Sequence, residues 1–185
     1  SDFEKLIRER RVDYHFQPIV SAHDGHVVAY EALMRPQLPT LRSPLTVMQL
    51  ASEMGRLYDI EKLTFFRACE CYEELEAAGK LDADALIFVN SIASVSLSDE
   101  DWASYCEAHS AILPKLVVEI TEEEEMNERE LERKRNVPGS TGVFALDDYG
   151  SGYSNGNSLL TIAPKYVKVD IAIIRGIDTD ADKQQ

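Results

Sequence analysis

Residues 14–35, YHFQPIVSAHDGHVVAYEALMR, contain two apolar runs on either side of a short polar segment. The polar segment includes Asp24-Gly25, a pair that favours the positive backbone angles of a tight hairpin turn. We therefore expect the two runs to form antiparallel strands at the start of the fold. The second run is followed by Glu31, a carboxylate placed where an apolar strand ends.

After this hairpin the sequence alternates between helical periodicity and short apolar runs. Helical periodicity covers residues 46–79, 99–110, 123–135 and 159–163, and Ser98 is predicted to cap the second of these stretches. Short apolar runs predict buried strands at residues 85–89, 116–118, 142–146 and 166–169. This alternation is typical of βα units around a mostly parallel sheet, so the predicted fold class is α/β.

Composition and charge exclude several classes of protein. The chain has 185 residues, and 33 Asp and Glu against 19 Lys and Arg give a formal net charge of −14. This acid excess argues against binding of a nucleic-acid polymer, which requires a basic face, but metal ions can still recruit a small anionic ligand. The length predicts a single globular domain. The sequence has no apolar stretch of the roughly 18 residues that a membrane span needs. The spacing of the three cysteines indicates neither a zinc site nor a disulfide framework. We therefore expect a cytoplasmic domain.

Polar side chains follow nearly every predicted strand, at the point where each apolar run ends. They are Glu31, Asn90, Glu119, the pair Asp147-Asp148, and Lys168 with Asp170. One such residue by itself usually marks only where a strand leaves the core. In a parallel sheet or barrel, however, the strand ends lie at one edge, where loops build the active site. Five coinciding strand ends therefore predict a site at that edge.

The chemistry of these residues indicates a metal site. Converging carboxylates would repel one another unless a cation lay among them. Oxygen ligands without His or Cys favour a hard divalent ion, Mg²⁺ or Mn²⁺, over zinc. Adjacent Asp147 and Asp148 suit a pair of ions that share one carboxylate, and such pairs promote in-line displacement at phosphorus.

The helix predicted at residues 123–135 has acidic residues at its start and basic residues, including Lys134, at its end. This order complements the helix dipole and predicts a solvated helix. An acidic surface that binds a partner is the alternative interpretation of the same residues.

The ordered motifs of the chain resemble those of the EAL-domain family, phosphodiesterases that linearise cyclic di-GMP. The matching segments are Glu31-Ala32-Leu33-Met34-Arg35, Phe16-Gln17-Pro18-Ile19, Glu119-Ile120-Thr121-Glu122, DDYGSGYS at residues 147–154, and Lys168-Val169-Asp170. Any one of these motifs would be weak evidence, whereas the ordered set is specific. The resemblance implies a TIM-like (β/α) barrel with an antiparallel first strand, incomplete here at about six of eight strands.

The resemblance also implies a role for each motif residue. Metal binding is implied for Glu31, Asn90, Glu119, Asp147, Asp148 and Asp170, with Asp147 bridging two Mg²⁺ or Mn²⁺ ions. Lys168 would orient the attacking water, which makes Lys168, Glu31 and Asp148 the implied catalytic set. Gln17, Leu33 and Arg35 would contact cyclic di-GMP, and Glu122 would stabilise the loop after Asp148.

The chain departs from the family pattern at its C-terminal end. It ends at Gln185, whereas a closed eight-stranded barrel typically needs about 250 residues. We therefore expect residues 1–185 to be a single EAL-type domain without the family's last two strands, which carry another metal-binding Glu and a substrate-contacting Gln. Their loss predicts little turnover by this chain alone, and raw sheet edges predict a homodimer or poor solubility.

Three functions are compatible with these motifs. The first is a metal-dependent cyclic di-GMP phosphodiesterase, the second is a cyclic di-GMP receptor that binds without hydrolysis, and the third is a dimerisation module without a ligand. Every metal-ligand position within the covered span keeps a suitable residue, which favours the first function. The resemblance leaves open whether a parent protein carries sensory or diguanylate-cyclase domains or a membrane anchor.

Overall fold

The computed structural model describes residues 1–121, 127–149 and 162–169, which form a six-stranded sheet with helices packed against it. The strands are β1 (Val12–Val20), β2 (Val27–Pro36), β3 (Leu86–Ser91), β4 (Leu116–Thr121), β5 (Phe144–Tyr149) and β6 (Tyr166–Val169). The helices are α1 (Asp2–Glu9), α2 (Pro44–Glu53), α3 (Leu57–Ala77), α4 (Asp99–Ala108) and α5 (Glu128–Arg135), with a 3₁₀ helix at Leu113–Lys115. The predicted α/β fold is confirmed.

The order of the strands in the sheet is their order in the chain. Strands β1 and β2 are antiparallel, and each later strand is parallel to the one before it. This confirms the predicted hairpin, whose turn contains Gly25 at a φ of 72°, a conformation that side chains with a Cβ atom disfavour. In the described part of the chain, β1 and β6 form the two ends of the sheet, which does not close into a barrel.

The helical periodicity of residues 46–79 is confirmed, but it belongs to two helices, α2 and α3, whose separation was not predicted. The interruption lies at Gly55, whose φ of 66° is incompatible with a right-handed helix. The predicted cap of α4 is confirmed, because the Asp101 backbone N–H donates to the Ser98 hydroxyl oxygen at 3.1 Å. Among the residues described, no helix combines the length and the apolar character that crossing a bilayer requires.

The two faces of the sheet have different packing partners. One face packs against the helices in the main hydrophobic core. The other face carries the small apolar cluster, which takes one residue from each of four strands: Ala29, Phe88, Val117 and Ala145. Because side chains alternate along a strand, a residue two positions further on belongs to the same face as this cluster.

Helix α5 is only partly solvated, which corrects the prediction made for its basic end. Leu131 and Lys134 are buried and lie on one side of the helix, three residues apart. The Lys134 ammonium lies 3.3 Å from Oε2 of Glu61 in α3. Lys134 is therefore buried because a carboxylate is buried beside it. The start of the predicted helix, residues 123–126, lies outside the described residues.

Candidate metal centre

A polar layer lies next to the small apolar cluster on the same face of the sheet. Glu31, Asn90, Glu119 and Asp147 each follow a cluster residue of their own strand by two positions. Gln17, in the antiparallel strand β1, pairs with Glu31 across the hairpin. Side-chain alternation therefore places these five residues of the polar layer on one face, toward the carboxyl ends of the parallel strands.

Three carboxylates of the polar layer converge closely enough to suit one ion. An oxygen atom from each of Glu31, Glu119 and Asp147 lies within 4.8 Å of the other two. Glu31 and Glu119 are buried, with 8% and 1% of their surface exposed, and Asp147 is partly buried. Opposite ligands of an octahedral Mg²⁺ ion lie about 4.2 Å apart, twice the metal–oxygen distance. The three oxygens therefore fit a hard divalent ion after small adjustments.

Asn90 lies near the end of β3, the strand between those of Glu31 and Glu119. It pairs in register with Glu119 of β4. Its Nδ2 group donates a hydrogen bond to the Ala32 carbonyl of β2 at 3.4 Å. The amide thus links the strands of Glu31 and Glu119, a position compatible with its predicted role as a ligand.

A cavity of about 350 Å³ adjoins the polar layer. Its described lining includes Asn90 together with Leu33 and Arg35, two of the three residues predicted to contact the substrate. The third, Gln17, is exposed on β1 and is absent from the described lining. The volume falls within the range of about 300–1,000 Å³ that is usual for small-molecule sites.

Asp148 and Lys168 are described through their backbone positions in β5 and β6. The register of these strands shifts at this point, so that Asp147 and Asp148 together face the single residue Lys168. Such a bulge interrupts the strict alternation of a strand and is common beside active sites. Two further predicted site residues, Glu122 and Asp170, lie outside the described residues.

Comparison with known families identifies the family of this chain. The family model described as the EAL domain matches residues 1–185. The chain belongs to the EAL domain family. This confirms the resemblance carried by the sequence motifs, while the roles of the individual site residues stay predictions.

Some curated relatives of this EAL domain have names that refer to cyclic di-GMP. The cyclic di-GMP phosphodiesterase NbdA of Pseudomonas aeruginosa is 29% identical over 95% of this chain and 23% of its own length. The probable cyclic di-GMP phosphodiesterase PdeG of Escherichia coli is 26% identical over 90% of this chain and 34% of its own length. The chain thus spans about a quarter to a third of the length of these relatives.

Solved EAL-domain structures have the same fold. The PaMucR phosphodiesterase in complex with c-di-GMP gives a TM-score of 0.74 at 25% identity, covering 99% of this chain and 76% of that one. BlrP1 of Klebsiella pneumoniae, solved with manganese and cyclic di-GMP, gives a TM-score of 0.70 at 23% identity, covering 94% and 44%. These similarities confirm the TIM-like architecture, of which the described residues form an open part.

One buried carboxylate of this EAL domain was not predicted from the sequence. Glu61 is 1% exposed and lines the same cavity as Asn90. Burial raises the pKa of its carboxyl group to about 7, against the opposing effects of Lys134 and of hydrogen bonds from the turn after β3. Glu61 shares a helix face with the buried residues Phe65 and Ala68, and this position is the signal that could have revealed it.

Proposed function

We propose that this chain is part of a metal-dependent phosphodiesterase domain that hydrolyses cyclic di-GMP to the linear dinucleotide. The observation that carries the proposal is the convergence of Glu31, Glu119 and Asp147 within 4.8 Å on one face of the sheet. Membership of the EAL domain family and the names of its relatives support the substrate and the reaction class. Bound cations would reconcile an acidic chain with an anionic ligand.

The polar layer supplies the ligands for the ions. Glu31, Asn90, Glu119 and Asp147 would hold one Mg²⁺ or Mn²⁺ ion, and a second would be held by Asp147 with Asp148 and Asp170. When bound, such ions activate a water molecule and neutralise charge at phosphorus. The small apolar cluster borders the ligands on one side, and this lowers the local dielectric constant and strengthens their electrostatic interactions.

The remaining predicted residues act on the water and the substrate. Lys168 would contact and orient the attacking water. Gln17, Leu33 and Arg35 would contact the dinucleotide, and the cavity beside the polar layer already contains the last two. The planar guanidinium of Arg35 suits a phosphate oxygen pair.

The chain by itself is proposed to turn over little substrate and to form a homodimer. In the described part of the sheet, β1 and β6 each have a strand on one side only, and such edges favour pairing with another copy. Sedimentation at micromolar concentration should show a dimer, and a clean monomer would contradict the pairing. We also propose that this chain is part of a longer protein with sensory or diguanylate-cyclase domains. In support, the chain covers only 23% of the length of one relative and 34% of another.

The proposed function is tested with cyclic di-GMP in the presence and absence of Mn²⁺ or Mg²⁺. Binding and linearisation are followed separately, for this chain and for a version extended to a complete barrel. The extended version should linearise the dinucleotide only with metal, and Glu31→Ala should abolish this. The exposed carboxylate Glu53 provides the matched control, because Glu53→Ala should leave the rate unchanged. Tight binding without cleavage would contradict hydrolysis and support the receptor.

A further inference from the structure

The segment 91–95, which is the last residue of β3 and the turn after it, is held by a buried ion pair from two helices. Glu61 in α3 and Lys134 in α5 are both buried, and the Lys134 ammonium lies 3.3 Å from Glu61 Oε2. These two charges come from segments far apart in the sequence and meet only at this turn.

The ion pair satisfies the hydrogen-bonding groups of the turn. Glu61 Oε2 accepts from the Ser91 hydroxyl at 2.8 Å, and Glu61 Oε1 accepts from the Ile92 backbone N–H at 3.0 Å. Lys134 Nζ donates to the Ile92 carbonyl at 2.5 Å and to the Val95 carbonyl. The N–H and the carbonyl of Ile92 are therefore bound by opposite charges, which leaves the turn little freedom.

Stability alone does not account for this ion pair. Removing two charges from water offsets much of their attraction, and apolar residues of similar volume commonly stabilise a fold at least as well. Burial raises the pKa of Glu61 to about 7, so the cost of burying its charge exceeds the stabilisation that Lys134 gives that charge. The position that the pair imposes on the turn is the better explanation.

This segment begins directly after Asn90, which the proposed function uses as a metal ligand. The Asn90 side chain has a hydrogen bond of 3.4 Å to the Ala32 carbonyl, which is long for a bond of this type. That bond alone positions the amide weakly. Its covalent neighbour Ser91, by contrast, is bonded to Glu61 at 2.8 Å.

Helix α5 also connects the turn to the other ligand strands. It lies in sequence between β4, which carries Glu119, and β5, which carries Asp147. Lys134 therefore links the end of β3 to the segment between the next two strands. Arg133, the preceding residue, donates to the Leu97 carbonyl at 3.0 Å, further along the loop and away from Asn90.

We propose that Glu61 and Lys134 are positioning residues that hold Asn90 in place beside the carboxylates that bind the metal. They act through the turn and do not themselves contact the ion. This inference rests on the proposed function, because it takes the polar layer to be a metal site.

The first test measures Mn²⁺ affinity by isothermal titration calorimetry on the whole chain. Glu61→Leu combined with Lys134→Met replaces the ion pair by apolar side chains of similar volume. Mn²⁺ binding should weaken by about 10- to 100-fold, as for other residues that orient metal ligands, while the thermal midpoint is maintained. Unchanged Mn²⁺ affinity would overturn the inference.

A thermodynamic cycle with Asn90→Ala separates positioning from a general structural role. If the ion pair acts through Asn90, replacing the pair in the Asn90→Ala background should cost no further Mn²⁺ affinity. An equal loss in both backgrounds would overturn the inference. Arg133→Met is the matched control on the same helix and loop, and it should leave the affinity unchanged.

Two further measurements keep the outcome decisive. If the doubly substituted chain does not fold, Ser91→Ala removes only the hydroxyl that binds Glu61, and it should weaken Mn²⁺ binding more than Arg133→Met does. Equal affinities of those two variants would overturn the inference. Absence of Mn²⁺ binding by the unsubstituted chain would overturn the proposed function as well. If Glu119→Gln abolishes Mn²⁺ binding but replacement of the ion pair leaves it unchanged, the proposed function stands and only the positioning inference is overturned.

Discussion

Two buried acidic sites lie near the end of β3, one on the helix side of the sheet and one on the opposite face. Glu61 shares its burial with the Lys134 ammonium and with donors from a turn. Glu31, Glu119 and Asp147, of which the first two are buried, bring one oxygen atom each within 4.8 Å of the others. The first site pairs one carboxylate with a buried ammonium and fixes the backbone. The second brings three carboxylates close enough together to suit a single divalent ion. One carboxylate is thus proposed to hold a position, and the other three are proposed to bind metal.

Removal of one member of the ion pair should have the largest effect on stability. Glu61→Leu leaves the Lys134 ammonium buried without its carboxylate and should lower the free energy of unfolding by about 3–5 kcal/mol. Lys134→Met should cost less at pH 6.5, because Glu61 has a pKa of about 7 and can take up a proton. Urea denaturation of both variants measures the difference. A larger cost for Lys134→Met than for Glu61→Leu would contradict this account of the pair.

The buried Glu61 should also make the chain less stable as the pH rises. Its pKa of about 7 in the folded state lies above its ordinary value of 4.5, so between these values the folded chain binds more protons than the unfolded chain. The stabilising contribution is complete below about pH 4.5 and should fall by up to about 3 kcal/mol as the pH rises through 7.

This pH dependence is measured as the difference in the free energy of unfolding between the unsubstituted chain and Glu61→Gln. Taking the difference cancels the titration of the other carboxylates. The unsubstituted chain should lose stability relative to Glu61→Gln as the pH rises from 4.5 to 8. A difference that stays constant across this range would show that Glu61 keeps the same charge in both states.

Mn²⁺ should stabilise the folded chain through the second site. An ion that binds only the folded state adds about 2.7 kcal/mol at a concentration 100 times its Kd. Glu119→Gln should remove this gain, since it removes a charged ligand, whereas Glu53→Gln at the exposed end of α2 should retain it. Thermal unfolding with and without Mn²⁺ gives the comparison. A full gain in Glu119→Gln would contradict the assignment of Glu119 as a ligand.

The convergence of the polar layer could be predicted because its signals are local in the sequence. Glu31, Asn90 and Glu119 each end an apolar run, and a parallel sheet brings such ends to one edge. The convergence of distant residues therefore followed from strand patterns alone. Gly55 was missed because an isolated glycine within a helical pattern is often tolerated, so nothing in the pattern required the helix to end there.

The positioning site could not be predicted because its signals are not local. Lys134 belongs to a charged segment whose order of acidic and basic residues matches a solvated helix, and only the packing of α5 against α3 reveals its partner, Glu61. The bulge that sets Asp147 and Asp148 against Lys168 likewise depends on the pairing of β5 with β6. Both features depend on contacts between residues that are distant in the chain, and these contacts cannot be read from a single sequence.

The smallest expected effect comes from Ser91, which joins the two sites. Ser91→Ala removes one of several hydrogen bonds to Glu61, so the free energy of unfolding without metal should fall by only about 1 kcal/mol. Thr64→Val is the matched control. Thr64 lies on the same helix as Glu61, but its hydroxyl accepts a hydrogen bond of 3.0 Å from Tyr14 and does not bind the turn. Both variants should lose similar stability, but only Ser91→Ala should reduce the gain from Mn²⁺. If both keep the full gain, the two sites are independent and the turn transmits no position between them.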